Sequence, residues 1–333
     1  MAFTPMPDRN KKTPYASLNA SLRQEAEDVY CQLERQILAD KMRLHKEEQR
    51  RCTEIAKQRC ANMKIPLTQE EEELVQIALN AEGELYVRGL IGGRQMHQVS
   101  LVTLKDGTWI NDDICTYMLK LLLEREEVMC IGNPTKKRSF WFEPFFFTKL
   151  TTDGDGTANG GYNFTGVDKW SEKIVPDGDI FSLDKLFVPI NQTRSHWFVV
   201  VVFFEQKRIQ VFDSLFEENG GEESQVVFKY IQHQHWLKHG IELPQKKEWV
   251  IITNSNGKPR QENGELLNKC IHSIDISASH TRYFELAAWD CGLFMILTCD
   301  FLSLNLPLIF EQSDVAHYRK HTVLSILLHQ LKV

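Results

Sequence analysis

The run Trp197-Phe-Val-Val-Val-Val-Phe-Phe204 restricts the fold of this chain more than any other segment. It is apolar throughout, and its consecutive branched valines fit a pleated strand. A half-exposed strand alternates polar and apolar residues. This one does not, so it predicts a central strand buried on both faces. Asp184 to Ile190 and Arg208 to Phe212 read as its neighbours, and Trp249 to Thr253 as a further short strand. The aromatic stretch Ser139-Phe-Trp-Phe-Glu-Pro-Phe-Phe-Phe147 adds β signal, interrupted at Pro144.

Helical patterns supply the layers that could cover such a sheet. Ile114, Tyr117, Met118, Leu121 and Leu122 fall on one helical face, with Asn111 or Asp112 in position to cap. Gln225 to His239, Cys291 to Leu304 and an amphipathic stretch from Ala316 to Leu331 read as further helices. Loops are expected over Asp153 to Gly161, over the acidic Glu217 to Glu223, and, as a mobile one, over Asn254 to Asn268.

Pro66 marks a boundary. Beyond it, Thr68-Gln-Glu-Glu71 forms a capping box ahead of the apolar run Leu74 to Leu79. The chain therefore divides into residues 1–64, a disordered start with a charged helical extension, and the main domain, 65–333. From Ser17 to Met63 there is neither Gly nor Pro, and Leu22, Ala26, Val29, Tyr30, Leu33 and Ile37 keep helical spacing, with Ser21 and Gln24 as a capping box. Tyr30, Ile37 and Leu44 recur every seventh residue, but Asp40 spoils the partner seam seven residues after Leu33. Two readings stay open: a solvated arm, or a coiled coil through which residues 17–63 engage a helical partner.

A formal net charge of −6 argues against a nucleic-acid binder, which carries a basic domain. The N-terminus lacks the apolar core of a secretory signal, and no run approaches a membrane span. The eight cysteines are scattered without a CxxC pair, too sparse for a disulfide scaffold. These features predict a soluble intracellular protein, nuclear or cytoplasmic. Arg50-Arg51 and Lys136-Lys-Arg138 are short basic runs of the kind that aid nuclear import, or simply solvated surface. No metal is expected. His233, His235 and His239 lack an HExxH pattern, and the Asp153-Gly-Asp-Gly start of a calcium-type loop has Phe164 where Glu is needed.

Three residues carry the chemistry. A thiol attacks a carbonyl as its thiolate, which a nearby imidazole and the positive end of a helix both favour. Asp290-Cys291-Gly-Leu-Phe294 reads as a turn into a buried helix, with Cys291 at its start and backbone N–H groups able to hold an oxyanion. His196 opens the central strand, and Asp213 ends the next strand. An antiparallel hairpin would bring the two to one end of the sheet, where Asp213 can fix the imidazole tautomer.

These motifs, in their order, resemble the ubiquitin-like-protein peptidases of the SUMO-protease group (sentrin-specific or Ulp-type). The resemblance rests on Gly107-Thr-Trp-Ile-Asn-Asp112, Phe145-Phe-Phe-Thr-Lys-Leu150, Asp179-Ile-Phe-Ser-Leu-Asp-Lys-Leu-Phe-Val-Pro-Ile190, His196-Trp197, Phe212-Asp-Ser214 and Asp290-Cys-Gly-Leu-Phe294. It runs from about residue 66 to the end and leaves 1–64 uncovered. It implies an α+β fold of papain-like type: a central mixed sheet flanked by helices, here with an N-terminal helical extension. It implies Cys291 as nucleophile, His196 as base and Asp213 as its orienting acid. It further implies hydrolysis after the C-terminal Gly-Gly of a SUMO-like modifier, by deconjugation or precursor maturation, with Trp109 and Trp197 over the flat Gly-Gly tail. The partners implied are the modifier and its conjugates, and no cofactor is needed. The family's oxyanion-donating Gln corresponds to Glu285, six residues before Cys291. A carboxylate cannot donate unless protonated. Glu285 therefore leaves open a weakly active homologue that binds the modifier. A peptidase for NEDD8, ubiquitin or another such modifier is the other alternative, because the modifier's globular face binds surfaces that vary.

Overall fold

The computed structural model describes residues 20–80, 87–91, 94–152, 161–174, 178–192, 195–215, 219–254, 258–261 and 289–332. The disordered start, nearly all of the glycine loop from Asp153 and most of the loop from Asn254 lie outside the described residues. The chain divides into two compact units, Met1–Glu54 and Ile55–Val333. Helix α1 spans Ala20–Met63, and its turns from Ile55 onward belong to the second unit.

Within the first unit, α1 leaves its spaced apolar residues uncovered by the rest of this chain. Leu22, Val29, Tyr30, Leu33, Ile37 and Leu44 are all exposed. Short-range pairs decorate its surface, among them Arg43 with Asp40 at 3.2 Å and Arg51 with Glu48 at 2.8 Å. Ser21 lies within the helix rather than at its cap, so the expected box with Gln24 does not open it. Gln24 instead donates to Asp28 at 3.0 Å.

The second unit is built on a five-stranded mixed sheet of β3 (Ser139–Trp141), β4 (Lys185–Gln192), β5 (His196–Phe203), β6 (Arg208–Phe212) and β7 (Val250–Ile252), in that spatial order. The outer pairs are parallel and the inner ones antiparallel. Every residue of β5 is buried, as its unbroken apolar sequence requires. A separate hairpin joins β1 (Val87–Ile91) to β2 (Arg94–Met96), where no alternating apolar pattern marks a strand in advance.

One face of the sheet, with Leu186, Val188, Phe198, Val200, Ile209 and Val211, packs against α5 (Phe145–Thr151) and α7 (Gly221–His239). Here the aromatic run departs from expectation. Only Ser139–Trp141 is strand, whereas Phe145-Phe-Phe147 winds into α5 directly after Pro144. Proline suits a helix start because the amide it lacks would have had no intrahelical partner. Phe146 then stacks on Phe142 and meets the edge of Tyr230. α7 also begins earlier than expected, inside the acidic stretch read as a loop. Glu222 and Glu223 form its first turn, where the helix dipole favours negative charge.

The other face of the sheet carries α8 (Cys291–Ser303), which is buried along nearly its whole length. The second unit also holds α3 (Gln98–Val102), α4 (Asp112–Gly132), the short α6 (Trp170–Ile174) and α9 (Gln312–Leu328). α8 packs against α4 and α9 as well as the sheet. A helix apolar all round is stable only when so enclosed. Its one carboxylate, Asp300, is paired with both Arg59 and Arg125. Asn111 caps α4, accepting from Ile114 N–H at 3.2 Å. The predicted box opens α2 (Gln69–Asn80), with Thr68 and Glu71 exchanging bonds of 3.1 and 3.2 Å. α9 starts a turn before the expected Ala316, through a reciprocal box between Glu311 and Asp314, and its residues 321–326 are buried on all sides rather than on one face. Among the described residues, no helix is long and apolar enough to cross a membrane.

Candidate active site

Antiparallel pairing of β5 with β6 matches Val199 to Phe212. His196 therefore projects from the start of β5 at the same sheet end where Asp213 follows β6. His196 Nε2 lies 2.9 Å from both carboxylate oxygens of Asp213. α8 delivers Cys291 to this point as its first residue. The Trp197 backbone N–H donates to Cys291 Sγ at 3.4 Å, which sets the sulfur beside His196, and the two side chains interact electrostatically. All three side chains are buried.

Further groups hold the carboxylate. Asp213 accepts from the Leu215 backbone N–H at 2.8 Å and from Asn219 Nδ2 at 2.7 Å. Asn219 also donates to Gln192, which donates to Glu223. Gly220 takes a left-handed φ of +72° just after Asn219, and a Cβ there would press on Val211 and Phe198. Only glycine permits that turn. Burial pushes the Asp213 carboxyl up, but the bonds from His196, Asn219 and Leu215 outweigh it and hold it below the usual range. Burial pulls His196 down, but its bonds to Asp213 and Cys291 outweigh that and raise it to about 9. At neutral pH the imidazole thus carries a proton beside the Asp213 carboxylate.

Trp197 is buried, and its Nε1–H donates to the Ile110 carbonyl at 3.2 Å. Trp109, next to Ile110, is 40% exposed. Gly292 lets Ile110 and Trp197 approach the start of α8, because any Cβ there would overlap Ile110. Glu285, assigned to the oxyanion position, lies outside the described residues.

Sequence reasoning missed Asn219, Lys258 and Arg319. The stretch read as a mobile loop is anchored where it is described. Lys258 Nζ bonds the Val211 and Asn254 carbonyls, and Gln261 N–H donates to the Ser214 carbonyl at 2.8 Å. Burial lowers Lys258 to about 8 against the opposing pull of Asp213. The histidines weighed for zinc have other partners: His233 bonds Tyr162 at 3.0 Å, and His235 lies 3.0 Å from the Ile241 carbonyl. No group of three metal-binding side chains occurs among the described residues.

A thiol at a helix start, an imidazole and an orienting carboxylate on a mixed sheet are the components of a thiol peptidase. The chain belongs to the Ulp1 protease family, a family of cysteine peptidases, matching the model of its C-terminal catalytic domain over residues 108–330. It is 27% identical to ubiquitin-like-specific protease 1A of Arabidopsis thaliana over 80% of this chain and 46% of that protein. It is 24% identical to human sentrin-specific protease 2 over 89% of this chain and 43% of that protein. The chain thus spans less than half the length of these two relatives. Its fold is shared with the C-terminal Ulp1 protease domain solved in complex with SMT3, the yeast ortholog of SUMO. That match has a TM-score of 0.57 at 22% identity and covers 80% of this chain and 97% of that one. The catalytic domain of the Chaetomium thermophilum Ulp1-like SUMO protease shares the fold too, with a TM-score of 0.59 at 18% identity, covering 80% and 91%.

Proposed function

We propose that this protein is a cysteine isopeptidase that cleaves after the C-terminal Gly-Gly of a SUMO-like modifier, with Cys291 as nucleophile, His196 as acid and base, and Asp213 as orienting carboxylate. The observation that carries the reading is the buried His196–Asp213 pair, with Cys291 held beside it at the start of α8 by the Trp197 N–H. Family membership and the names of the relatives supply the modifier class.

In this reading the Cys291 thiolate attacks the carbonyl carbon of the second glycine. The oxyanion forms beside the first-turn N–H groups of α8, where fixed backbone dipoles oppose the developing charge. His196 passes its proton to the departing amine, the C–N bond breaks, and a thioester remains on Cys291. His196, now neutral, takes a proton from water as the water attacks the thioester. The carboxylate product leaves and the thiolate–imidazolium pair is restored. Trp109 covers the tail from its exposed position, and two glycines fit a narrow passage because they carry no side chains to exclude. Residues 1–64 act as an extension to a catalytic domain spanning 65–333.

The test is hydrolysis of a fluorogenic substrate carrying the SUMO C-terminus, with parallel Gly-Gly electrophilic probes built on SUMO, NEDD8 and ubiquitin. The SUMO substrate should be cleaved and the SUMO probe should label Cys291, with both signals lost in Cys291→Ser. Labelling by another modifier's probe alone would reassign the substrate. No labelling by any probe would end the peptidase reading and leave a modifier-binding homologue.

A further inference from the structure

Arg319 sits on α9 and is almost wholly buried, in a sequence context, Tyr318-Arg-Lys-His321, that gives no hint of a role. Its guanidinium joins separate stretches of chain. Nε and Nη2 donate to Asp290 Oδ1 at 2.9 and 2.7 Å. Nη1 donates to the carbonyls of Thr103 and Lys105 at 3.4 and 2.9 Å. Nη2 also reaches the carbonyls of Thr108 and Trp289 at 2.8 and 3.1 Å. One planar fork therefore ties the residues just before Trp109 to the residues just before Cys291. A lysine, with a single ammonium, could not span them.

The effect on Asp290 is specific. Asp290 is the N-cap residue of α8, and aspartate is among the strongest N-caps because its carboxylate accepts from first-turn N–H groups. Here the carboxylate makes no such bond. Arg319 holds Oδ1, and Gln312 Nε2 donates to Oδ2 at 2.7 Å. A carboxylate turned onto α8 would occupy the amides that face the reacting centre and set a second negative charge beside the sulfur.

We propose that Arg319 is a positioning residue: it draws the Asp290 carboxylate away from the start of α8, reserving that positive helix end for the Cys291 sulfur, and it locks the Trp109 segment to the nucleophile segment. This deepens the reading of Cys291 as the nucleophile and rests on it. Released from Arg319, Asp290 caps its own helix and takes the first-turn amides from the sulfur.

The experiment follows alkylation of Cys291 by iodoacetamide against pH in the full chain, read by mass spectrometry of the Cys291 peptide, beside hydrolysis of the SUMO C-terminal substrate. Arg319→Met should move the alkylation midpoint up by about one pH unit, and so slow alkylation about tenfold below it. Adding Asp290→Ala to Arg319→Met should return the midpoint toward wild type, because the competing carboxylate is gone. A purely structural arginine would give no such return. Arg319→Lys should keep the midpoint, since its charge still holds Asp290, while turnover falls as the carbonyl bonds are lost. An unchanged midpoint in Arg319→Met, or no return in the double variant, overturns the proposal. If Arg319→Met does not fold, wild-type turnover in Arg319→Lys overturns it. Survival of hydrolysis in Cys291→Ser would instead sink the functional reading alone, because alkylation reports the sulfur's surroundings whether or not it is the nucleophile.

Discussion

Gly292→Ala tests how tightly the site is packed. An added Cβ would lie 2.6 Å from Ile110 Cδ1 and 3.1 Å from Trp197 Cδ1, and it would overlap Ile110 Cγ1 as well. Carbon atoms rest at roughly 3.5–4.0 Å, so Ile110 must retreat by about 1 Å. It has nowhere easy to go, because it is buried and its carbonyl accepts from Trp197 Nε1–H. Two effects oppose each other. Alanine gains about 1 kcal/mol of helix propensity over glycine in a helix interior, and less at a first turn. Overpacking a filled core costs about 1–3 kcal/mol. The expected sum is a loss of about 1–2 kcal/mol in urea unfolding, taking the overpacking term as the larger. Activity should fall further than stability, because the displaced atoms adjoin both Trp109 and the Trp197 N–H that meets the sulfur. Hydrolysis of the SUMO substrate reads that loss. The cycle with Ile110→Ala isolates the clash: alone, Ile110→Ala costs about 2–5 kcal/mol, but with Gly292→Ala the two losses should offset by about 1 kcal/mol or more. A Gly292→Ala protein as stable and as active as wild type would refute the reasoning.

Three further outcomes are expected from the buried charges, and one from the oxyanion position. His196 is raised to about 9 from an unfolded value of 6.5. Its contribution to stability is therefore complete below about 6.5 and lost as pH rises through about 9, and the alkaline limb of kcat/KM should fall in that same window. In Cys291→Ser, His196 should titrate below about 9 by NMR, because two of the causes that raise it come from the sulfur. Asp300→Ala should cost on the order of 3–5 kcal/mol in chemical unfolding, since it strands Arg59 and Arg125 without their shared carboxylate. Glu285→Gln should raise kcat, by up to about a hundredfold, if the carboxylate weakens the oxyanion site; an unchanged kcat would mean that other donors suffice.

Local signals carried much of this protein. The unbroken apolar run specified β5 because a strand without a polar face has to be covered on both sides. His196 and Asp213 were legible as neighbours because an antiparallel hairpin fixes which residues share a sheet end. Cys291 was legible because a glycine and a long apolar stretch follow it, which together read as a buried helix start. Local signals misled where two structures compete for the same residues. Phe145-Phe-Phe147 is rich in β-formers, yet packing against Phe142 and Tyr230 made it helical.

The sequence by itself determined the central strand, the helix that carries the thiol and the three residues proposed to react. Periodicity and spacing report contacts made along one element or across one turn. Tertiary structure alone decided what surrounds those residues: Asn219 on Asp213, Arg59 and Arg125 on Asp300, and Arg319 on Asp290. Arg59 and Asp300 stand 241 residues apart, and no periodic pattern links such positions. A buried charge needs a partner, but the partner can come from anywhere in the chain, and only the closed core reveals which one it is.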